Sequence, residues 1–532
     1  MKDSQGYNAV FFERTMNILN ELEKRPFVSL MALLGFSLLI KAVLIYQADI
    51  INSDGIVFTS AARELFRGDI VASFNSYPVI GYSFALGLVQ LVVHDWFLAG
   101  KILSCLSLLL ATIPLYLITC DLFNKKAAFF TALVFTIAPS VNGKCTAVIR
   151  DPFFMLLVIL SLWLVLYAIR ESRYGFFLTS SLLCCFSVLV RSEGAILFLA
   201  ILFFLVVSAI FISEGRSFSV KCLAAFCFLP FCGLLLISVL VAGGDIPQEH
   251  IQKFLMKYLT YLRMDHLKIY KSIYAHLKEV ELDFPGGRIP NDFFEYARYN
   301  IYLVYLIGMM QTFVKDLFPL FVIPLVYGLN LKKQWNRRIA LLLMVLCSFF
   351  MMDYLFLITR NFITSRYMFV PLVLSFILVG HGLDRMVAHS NRARLRTTVV
   401  FILAVLCVAL PANKVLSKSS GEKEEIKMAG VWLSDNRDMS QTKMIFNEES
   451  IAYHAGLFRG EYDLFTQKKR IQIKQHNQLK ELDKIAFTEG QKIIVVYLDN
   501  EQVDKDPDFK NYELIKYFPG RKKTVMIYER KK

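Results

Sequence analysis

Seven ionisable residues stand at the edges of long apolar runs: Asp54, Arg150, Asp151, Arg191, Glu193, Arg360 and Arg366. Charged groups at a membrane edge are costly unless solvated or paired, so their convergence on one side would mark a polar cavity. A lone arginine in such a place snorkels to water, and only the group carries chemical meaning. A carboxylate within hydrogen-bond reach of an acceptor hydroxyl or amine can serve as general base. Arginine forks beside it can hold a phosphate bidentately and stabilise it as it departs. One base, one phosphate clamp and a lateral entrance from the lipid would together move a group off a lipid phosphate.

Whether these residues share a side depends on how the chain is laid through the bilayer. Its 532 residues are 56% hydrophobic and only 19% charged, with 46 Phe, more apolar surface than a soluble domain can hide. Repeated apolar runs near the ~20-residue bilayer length predict a polytopic α-helical membrane protein. A net charge of +15 would suggest a nucleic-acid partner in a soluble protein. Here most basic residues of the first 411 positions fall in short loops between runs, which the positive-inside rule explains with no nucleic acid. The start, MKDSQGYNAVFFERTMNILNELEKRP, is too long and too charged for a signal peptide and reads as a cytoplasmic segment, 1–26, before an uncleaved anchor. Of the cysteines only Cys145 lies in a loop, and the histidines form no HExxH-type pairing. Neither a disulfide framework nor a zinc site emerges from their spacing.

Apolar runs appear at 27–46, 78–93, 97–120, 127–139, 152–169, 175–190, 194–213, 222–242, 301–329, 339–359, 367–384 and 397–411. The basic clusters Lys125/Lys126, Arg170/Arg173, Arg216/Lys221, Lys332/Lys333/Arg337/Arg338 and Arg392/Arg394/Arg396 belong in the cytoplasm with the N-terminus. That holds only if the short, Pro-started and Gly-containing run 78–93 does not cross and lies as a juxtamembrane or re-entrant helix. About eleven spans then remain in a module 27–411. The outer side receives a first loop at 47–96, residues 140–151, the RSEG corner at 191–194, a long loop at 243–300 and residues 360–366.

The tail 412–532 has the composition of a soluble, extracytoplasmic α/β domain. EEIKMAGVWLSDN reads as an amphipathic helix, KMIFNEESIAYHAG and QKIIVVYLDN as strands leading into helix or turn, and KTVMIYER as a closing strand. No Gly-rich phosphate loop or catalytic triad is visible in it, which favours a stabilising or acceptor-docking role. In the long loop, KFLMKYLTYLRMDHLKIYKSIYAHL has the aromatic and basic pattern of a helix lying at the interface, and reads equally as a solvated loop.

Several of these segments resemble a family. INSDGIVFTSAARELFRGD is similar to the first outer loop of the integral-membrane glycosyltransferases of the C superfamily, nearest the protein O-mannosyltransferase and lipid A aminoarabinose transferase branch. SYPVIGYSFALGLVQL resembles that branch's HPPLYYLLLAL-type segment without its His and second Pro. LYLITCDLFNKKAAFFTALVFTIAPSVNGKCTAVIRDPFFMLLVILSLWLVLYA resembles a cytoplasmic LFGRRAAL turn, an LSP span end and an acid opening the next span. VLVRSEGAILFLAI is similar to a TRPEGLLLL corner, and SRYMFVPLVLSFILVGHGL to an RYLLPLLPLLALLAA span. The motifs are individually degenerate but fall in the family's order over residues 27–411.

The resemblance implies a glycosyltransferase C-type fold and a polyprenyl-phosphate-linked sugar donor used on the outer face of a prokaryotic inner membrane. The acceptor would be a lipid, glycan or protein, among membrane lipids. Asp54 matches the first-loop acid and is the expected base. Asp151 matches the second acid, expected to help bind the acceptor or orient the site. Arg366, of the RY element, is the leading phosphate contact, followed by Arg191, Arg150 and Arg360. Tyr77, Glu193 and Tyr367 are expected near the substrate, although Glu193 fits a corner ion pair with Arg191 slightly better. Asp69 is expected to cap a helix. Asp54 and Asp151 could hold a divalent cation, but no cofactor or metal ligand set is assigned. The competing reading is a polytopic transporter or lipid flippase, which predicts internal repeats and mid-membrane charges, for which Asp353 and Lys101 are the available residues. The topology predicts that a cysteine introduced at Lys125 is labelled by a membrane-impermeant thiol reagent only after the cells are opened, whereas one at Ser192 is shielded from the cytoplasm.

Overall fold

The computed structural model describes residues 24–47, 50–211, 216–242, 265–283, 291–332, 334–388, 393–417, 423–439, 442–458, 463–464, 476–500 and 509–531. Seven described helices are long and apolar enough to cross a membrane, namely Pro26–Tyr46, Trp96–Leu122, Asp151–Glu171, Gly194–Phe211, Arg216–Leu235, Arg337–Arg360 and Phe369–Val387. The number rises to nine if two bent helix pairs are each one span, and two shorter apolar helices stand beside them. The chain is a multi-pass helical membrane protein with a small C-terminal sheet. The first half of the long-loop segment expected at the interface lies outside the described residues, while Asp265–Asp283 is helical.

Both bent pairs have local causes. The run 78–93 forms one helix, Gly81–Val93, which meets the preceding Ile70–Ser76 at 117° around the Tyr77–Pro78 step. The run 301–329, expected as a single span, is broken into Ile301–Leu317 and a second piece beginning at Pro319, at 97°. Phe318 adopts φ +70°, and Pro319 has no N–H for a helical bond and crowds the preceding turn.

Two compact units divide the chain, one comprising residues 1–40, 105–144 and 150–412, the other residues 41–104, 145–149 and 413–532. In the first, Phe369–Ala388 is the most deeply buried of the long spans, packed against Lys125–Ile137 and Val322–Gly328. Membrane helices gain no hydrophobic drive from each other, so close packing must come from small residues. At Gly380 a side chain would collide with Thr131 and the Ala127 carbonyl; at Gly382, with the Pro324 carbonyl. Thr131 Oγ1 adds a 3.3 Å hydrogen bond to the Phe376 carbonyl.

The second unit contains a five-stranded sheet in the order β2-β1-β3-β5-β4, built from β1 Met444–Phe446, β2 Asp463–Leu464, β3 Ile493–Asp499, β4 Tyr512–Pro519 and β5 Lys523–Arg530. β1, β2 and β3 are parallel, and β5 runs antiparallel to β3 and β4. The continuous apolar runs of β1, β3 and β5 follow from burial on both faces. Met444, Phe446, Ile493, Val495, Val525 and Ile527 face the helices Glu424–Asn436 and Glu449–His454. Ile445, Ile494, Val496, Leu498 and Met526 face the helix His476–Thr488. The two helices and three strands read from the tail's pattern stand where that pattern put them; β4, with its mostly exposed YELIKYFP, carried too weak an apolar alternation to be read.

This packing predicts that Gly382→Val, which drives a branched side chain into the Pro324 carbonyl, lowers stability by about 1–3 kcal/mol or more. A fall in the detergent-solubilised melting temperature, larger than that of Gly233→Val in an open position, would show it.

Candidate functional site

The span-edge residues of the first unit converge through three separate chain segments. Asp151 opens the Asp151–Glu171 helix with Pro152 behind it, so its carboxylate sits at the positive end of the helix dipole. Arg191 ends the Gly175–Val190 helix in an extended conformation, φ −146° and ψ 136°, with its cation at the negative end. The next helix begins at Gly194, where any side chain would meet Ser187 Oγ and lie 2.6 Å from the Val188 nitrogen. Glycine is what lets the RSEG corner fold back so tightly. Arg366 and Tyr367 come from the turn before Phe369–Ala388, a turn tied down by Ser365 Oγ donating to Asp316 at 2.8 Å.

Asp151 is the hub. One carboxylate oxygen accepts from Arg191 Nη1 and the other from Arg366 Nε at 3.1 Å, with the Asp151 side chain 1% exposed. Arg191 Nη2 donates to Glu193 Oε1 at 2.6 Å, and Ser192 Oγ donates to Glu193 Oε2 at 3.1 Å. The Arg191 guanidinium also lies over the rings of Phe154 and Tyr367, at 5.5 and 5.6 Å from their centroids. Burial acts to raise the Glu193 carboxyl, but the charge and hydrogen bond of Arg191 overcome it and hold the group well below the usual carboxylate range. Tyr367 is pushed up by burial, against the pull of Arg191.

Of the expected site residues, Asp151, Arg191, Glu193, Arg366 and Tyr367 are brought together around one narrow cavity, which Phe154, Phe349, Phe369 and Val370 also line. Its free volume of about 10 Å³ fits roughly one water molecule. Arg150 flanks the cluster and reaches the Val190 carbonyl at 3.4 Å, whereas Arg360 is exposed at the end of its helix. Two further residues join the site. Lys144 is buried, with Nζ 5.5 Å from the Phe369 ring centroid; burial lowers its ammonium pKa, Asp151 opposes that, and Arg366 adds to it. A lysine on a loop assigned to the outer side breaks the positive-inside pattern, and that was the signal for it. Asp353, noted in the sequence only as a mid-span charge, lines the same cavity, and its Oδ2 has no hydrogen-bond partner among the described residues.

Asp54 and Tyr77 belong to the second unit. Asp54 is half-buried in the first turn of the Ser53–Phe66 helix, and Tyr77 packs edge-on against Phe58 with centroids 5.0 Å apart. Asp69 caps the Ile70–Ser76 helix, accepting from the Ala72 amide at 2.8 Å. Among the described residues no group of three or more His, Cys, Asp or Glu is arranged to hold a metal ion.

Both Asp151 oxygens are engaged by guanidinium groups, so the carboxylate is held in place rather than free to swing toward a substrate. The cluster offers instead a fixed arginine scaffold, a second arginine whose side chain is 35% exposed, and a buried lysine. Such a set has the chemistry to hold an anion. Removing one partner of a buried pair leaves an uncompensated charge, at a cost of about 3–5 kcal/mol. Arg191→Ala, which strands the buried Glu193 and leaves Asp151 with Arg366 alone, is therefore expected to prevent stable folding or sharply lower the melting temperature. Arg366→Ala leaves Asp151 paired with Arg191 and should melt within a few degrees of the parent. The depressed Glu193 pKa contributes stability that is present above its unfolded value of about 4.3 and is lost as pH falls through the lower folded value. Glu193→Gln should flatten that acid limb in a pH series of melts.

Comparison with known proteins agrees with this architecture. Residues 77–236, which include Asp151, Arg191 and Glu193, match the family model of dolichyl-phosphate-mannose-protein mannosyltransferases. The structure of ArnT from Cupriavidus metallidurans bound to undecaprenyl phosphate aligns over 93% of this chain and 97% of its own, at 11% identity and a TM-score of 0.52. Its apo state aligns over 92% and 97%, at 12% identity and a TM-score of 0.52. The Archaeoglobus fulgidus oligosaccharyltransferase in complex with zinc and sulfate aligns over 88% of this chain and 68% of its own, at 12% identity and a TM-score of 0.53. No curated protein sequence matches the chain significantly. The chain thus has the fold of the integral-membrane glycosyltransferases of the C superfamily, and resembles the branch that holds the protein O-mannosyltransferases and ArnT.

Proposed function

We propose that the protein is an inverting glycosyltransferase that takes a sugar from a polyprenyl-phosphate-linked donor and passes it to a lipid, glycan or protein acceptor on the outer face of the membrane. The observation that carries this reading is the buried Asp151–Arg191–Glu193–Arg366 cluster with Lys144 beside it, an anion-recognising site in a chain of glycosyltransferase C-type fold. The fold is shared over nearly its whole length with an ArnT that binds undecaprenyl phosphate.

In the proposed reaction Asp54 accepts the proton of the acceptor hydroxyl or amine. The freed lone pair forms the bond to the sugar C1 from the face opposite the phosphate. The C1–O bond to phosphate breaks, its electron pair stays on the phosphate oxygen, and polyprenyl phosphate leaves with the anomeric configuration inverted. Arg366 and Lys144 receive the growing negative charge, since phosphate leaves well without a proton when positive charge meets it. Arg191 and Asp151 keep those cations in place, and holding both substrates in line supplies much of the rate. Arg150 and Arg360 are weaker phosphate contacts in this scheme, and Tyr367 and Glu193 line the donor side.

The buried, unpartnered Asp353 oxygen also suits a proton-coupled carrier, so a transporter or flippase is the second reading. Mass spectrometry of envelope glycans and lipids from cells lacking the protein separates the two. The transferase reading expects one sugar to be missing from one acceptor while its lipid-linked donor accumulates. Complementation with Asp54→Asn should leave that sugar missing, and Arg366→Ala should reduce it at least tenfold. Full restoration by Asp54→Asn in a folded protein would remove the base assignment.

A further inference from the structure

The second unit explains why a soluble sheet domain is joined to this chain. In open α/β sheets, ligands bind beyond the carboxyl ends of parallel strands, where connections diverge to either side. Here that point lies between β1, whose connection runs to β2, and β3, whose connection runs the other way. Its lip is already closed. The Asn447 side chain accepts from the Tyr497 amide at 2.7 Å and donates to the Tyr497 carbonyl at 3.1 Å, stitching the two strand ends together. Beside it, Ser450 Oγ stands 2.8 Å from Glu448 Oε1 and 3.2 Å from the Ile51 carbonyl and shares its one proton between them, and Ile50 packs on the sheet's apolar face. The position where such sheets receive a ligand receives the chain's own first outer loop.

Three further contacts fix that loop. The helix Glu449–His454 packs against Ser53–Phe66. The Arg63 guanidinium stacks over the Phe458 ring, 3.9 Å from its centroid. Asn52 stands at the N-cap of Ser53–Phe66 yet makes no cap bond; its Oδ1 accepts from the Val148 amide at 3.0 Å and its Nδ2 donates to the Val148 carbonyl at 3.2 Å. Val148 is in turn pressed between Gly55 and Gly100, where an added Cβ would approach it to 2.8 and 2.5 Å. Asp54 therefore lies between two residues, Asn52 and Gly55, that are each locked against the strap 145–149.

We propose that the C-terminal sheet domain is a clamp for the first outer loop, and that Ser450 and Asn52 are positioning residues that hold Asp54 for proton transfer. This rests on the assignment of Asp54 as base. A misplacement on the order of 1 Å costs about a hundredfold in rate, so a loop anchored at both ends of its first turn is the device such a base requires.

The test uses the full-length protein in its host membrane, reading restoration of the glycan lost on deletion, together with hydrogen exchange of the purified chain. Ser450→Ala and Asn52→Ala should each lower the glycan at least tenfold and raise exchange at amides 50–60, with the melting temperature of the membrane spans unchanged. Ser450→Thr, which keeps the hydroxyl, should restore both. Combined with Asp54→Glu, which leaves a displaced carboxylate and residual product, Asn52→Ala should cause less loss than the product of the two single losses, because both act through one group. If Asp54→Asn abolishes the glycan while Ser450→Ala and Asn52→Ala leave product and exchange unchanged, the clamp is wrong and the base assignment stands. Strictly multiplicative losses with Asp54→Glu, or failure of Ser450→Thr to rescue, also overturn the clamp. Full product from Asp54→Asn overturns the base assignment and the clamp's role with it.

Discussion

The membrane unit is organised around one carboxylate that faces two guanidinium groups. Asp151 is almost wholly buried at the mouth of a span, where an isolated charge would be intolerable. Arg191 on one oxygen and Arg366 on the other make it tolerable, and each arginine comes from a different part of the chain. The corner at Gly194, the turn held by Ser365 and Asp316, and the helix that starts at Asp151 all serve to bring those charges to one point. Buried ion pairs contribute little net stability compared with apolar packing, and are costly chiefly when broken. Such a cluster is better understood as a constraint on position than as a source of stability.

That constraint separates the duties of the two acids singled out in the sequence. Asp151 has an arginine on each oxygen, and on the proposed reading it is a scaffold. Asp54 sits in the first turn of a loop helix whose backbone is fastened on both sides by Asn52 and Gly55. The INSDG stretch is thus legible in physical terms. The amide ties the loop to a strap, the glycine lets the strap approach, and the acid is presented between them.

Much of this was readable from residue types. Span-length apolar runs, the basic loops between them and the amphipathic tail helix are consequences of burial and charge that one sequence displays directly. Of the seven span-edge charges, Asp151, Arg191, Glu193 and Arg366 were readable as a set, and the pairing of Arg191 with Glu193 followed from their place at a tight corner. Lys144 was missed because a single lysine beside a span end looks like any solvated residue until the fold buries it. Asp353 was visible as a mid-span acid, but which residues it faces depends on helix rotation, which hydropathy does not encode. The break at Phe318 was signalled by Pro319 and was overridden by the length of the apolar run, although a proline's effect on the residue before it is local and holds whatever the run length. The clamp was not legible at all. Ser450 and Ile51 are separated by 399 positions, and a backbone carbonyl leaves no trace in side-chain identity.

The narrowness of the cavity bears on how an anion would be received. Space for roughly one water cannot hold a sugar phosphate, so on the proposed reading the donor must displace protein contacts rather than fill an open pocket. Arg366 is the group able to change partners, because it is the more exposed of the two arginines and Asp151 retains Arg191 when it moves. Exchanging a carboxylate for a phosphate on one guanidinium preserves the charge balance there. Arg191 cannot make the same exchange, since its departure would strand the buried Glu193 and leave Asp151 with Arg366 alone. On the proposed reading, the asymmetry between two arginines on one aspartate therefore divides them into a fixed support and an exchangeable clamp, with Lys144 to share the incoming charge.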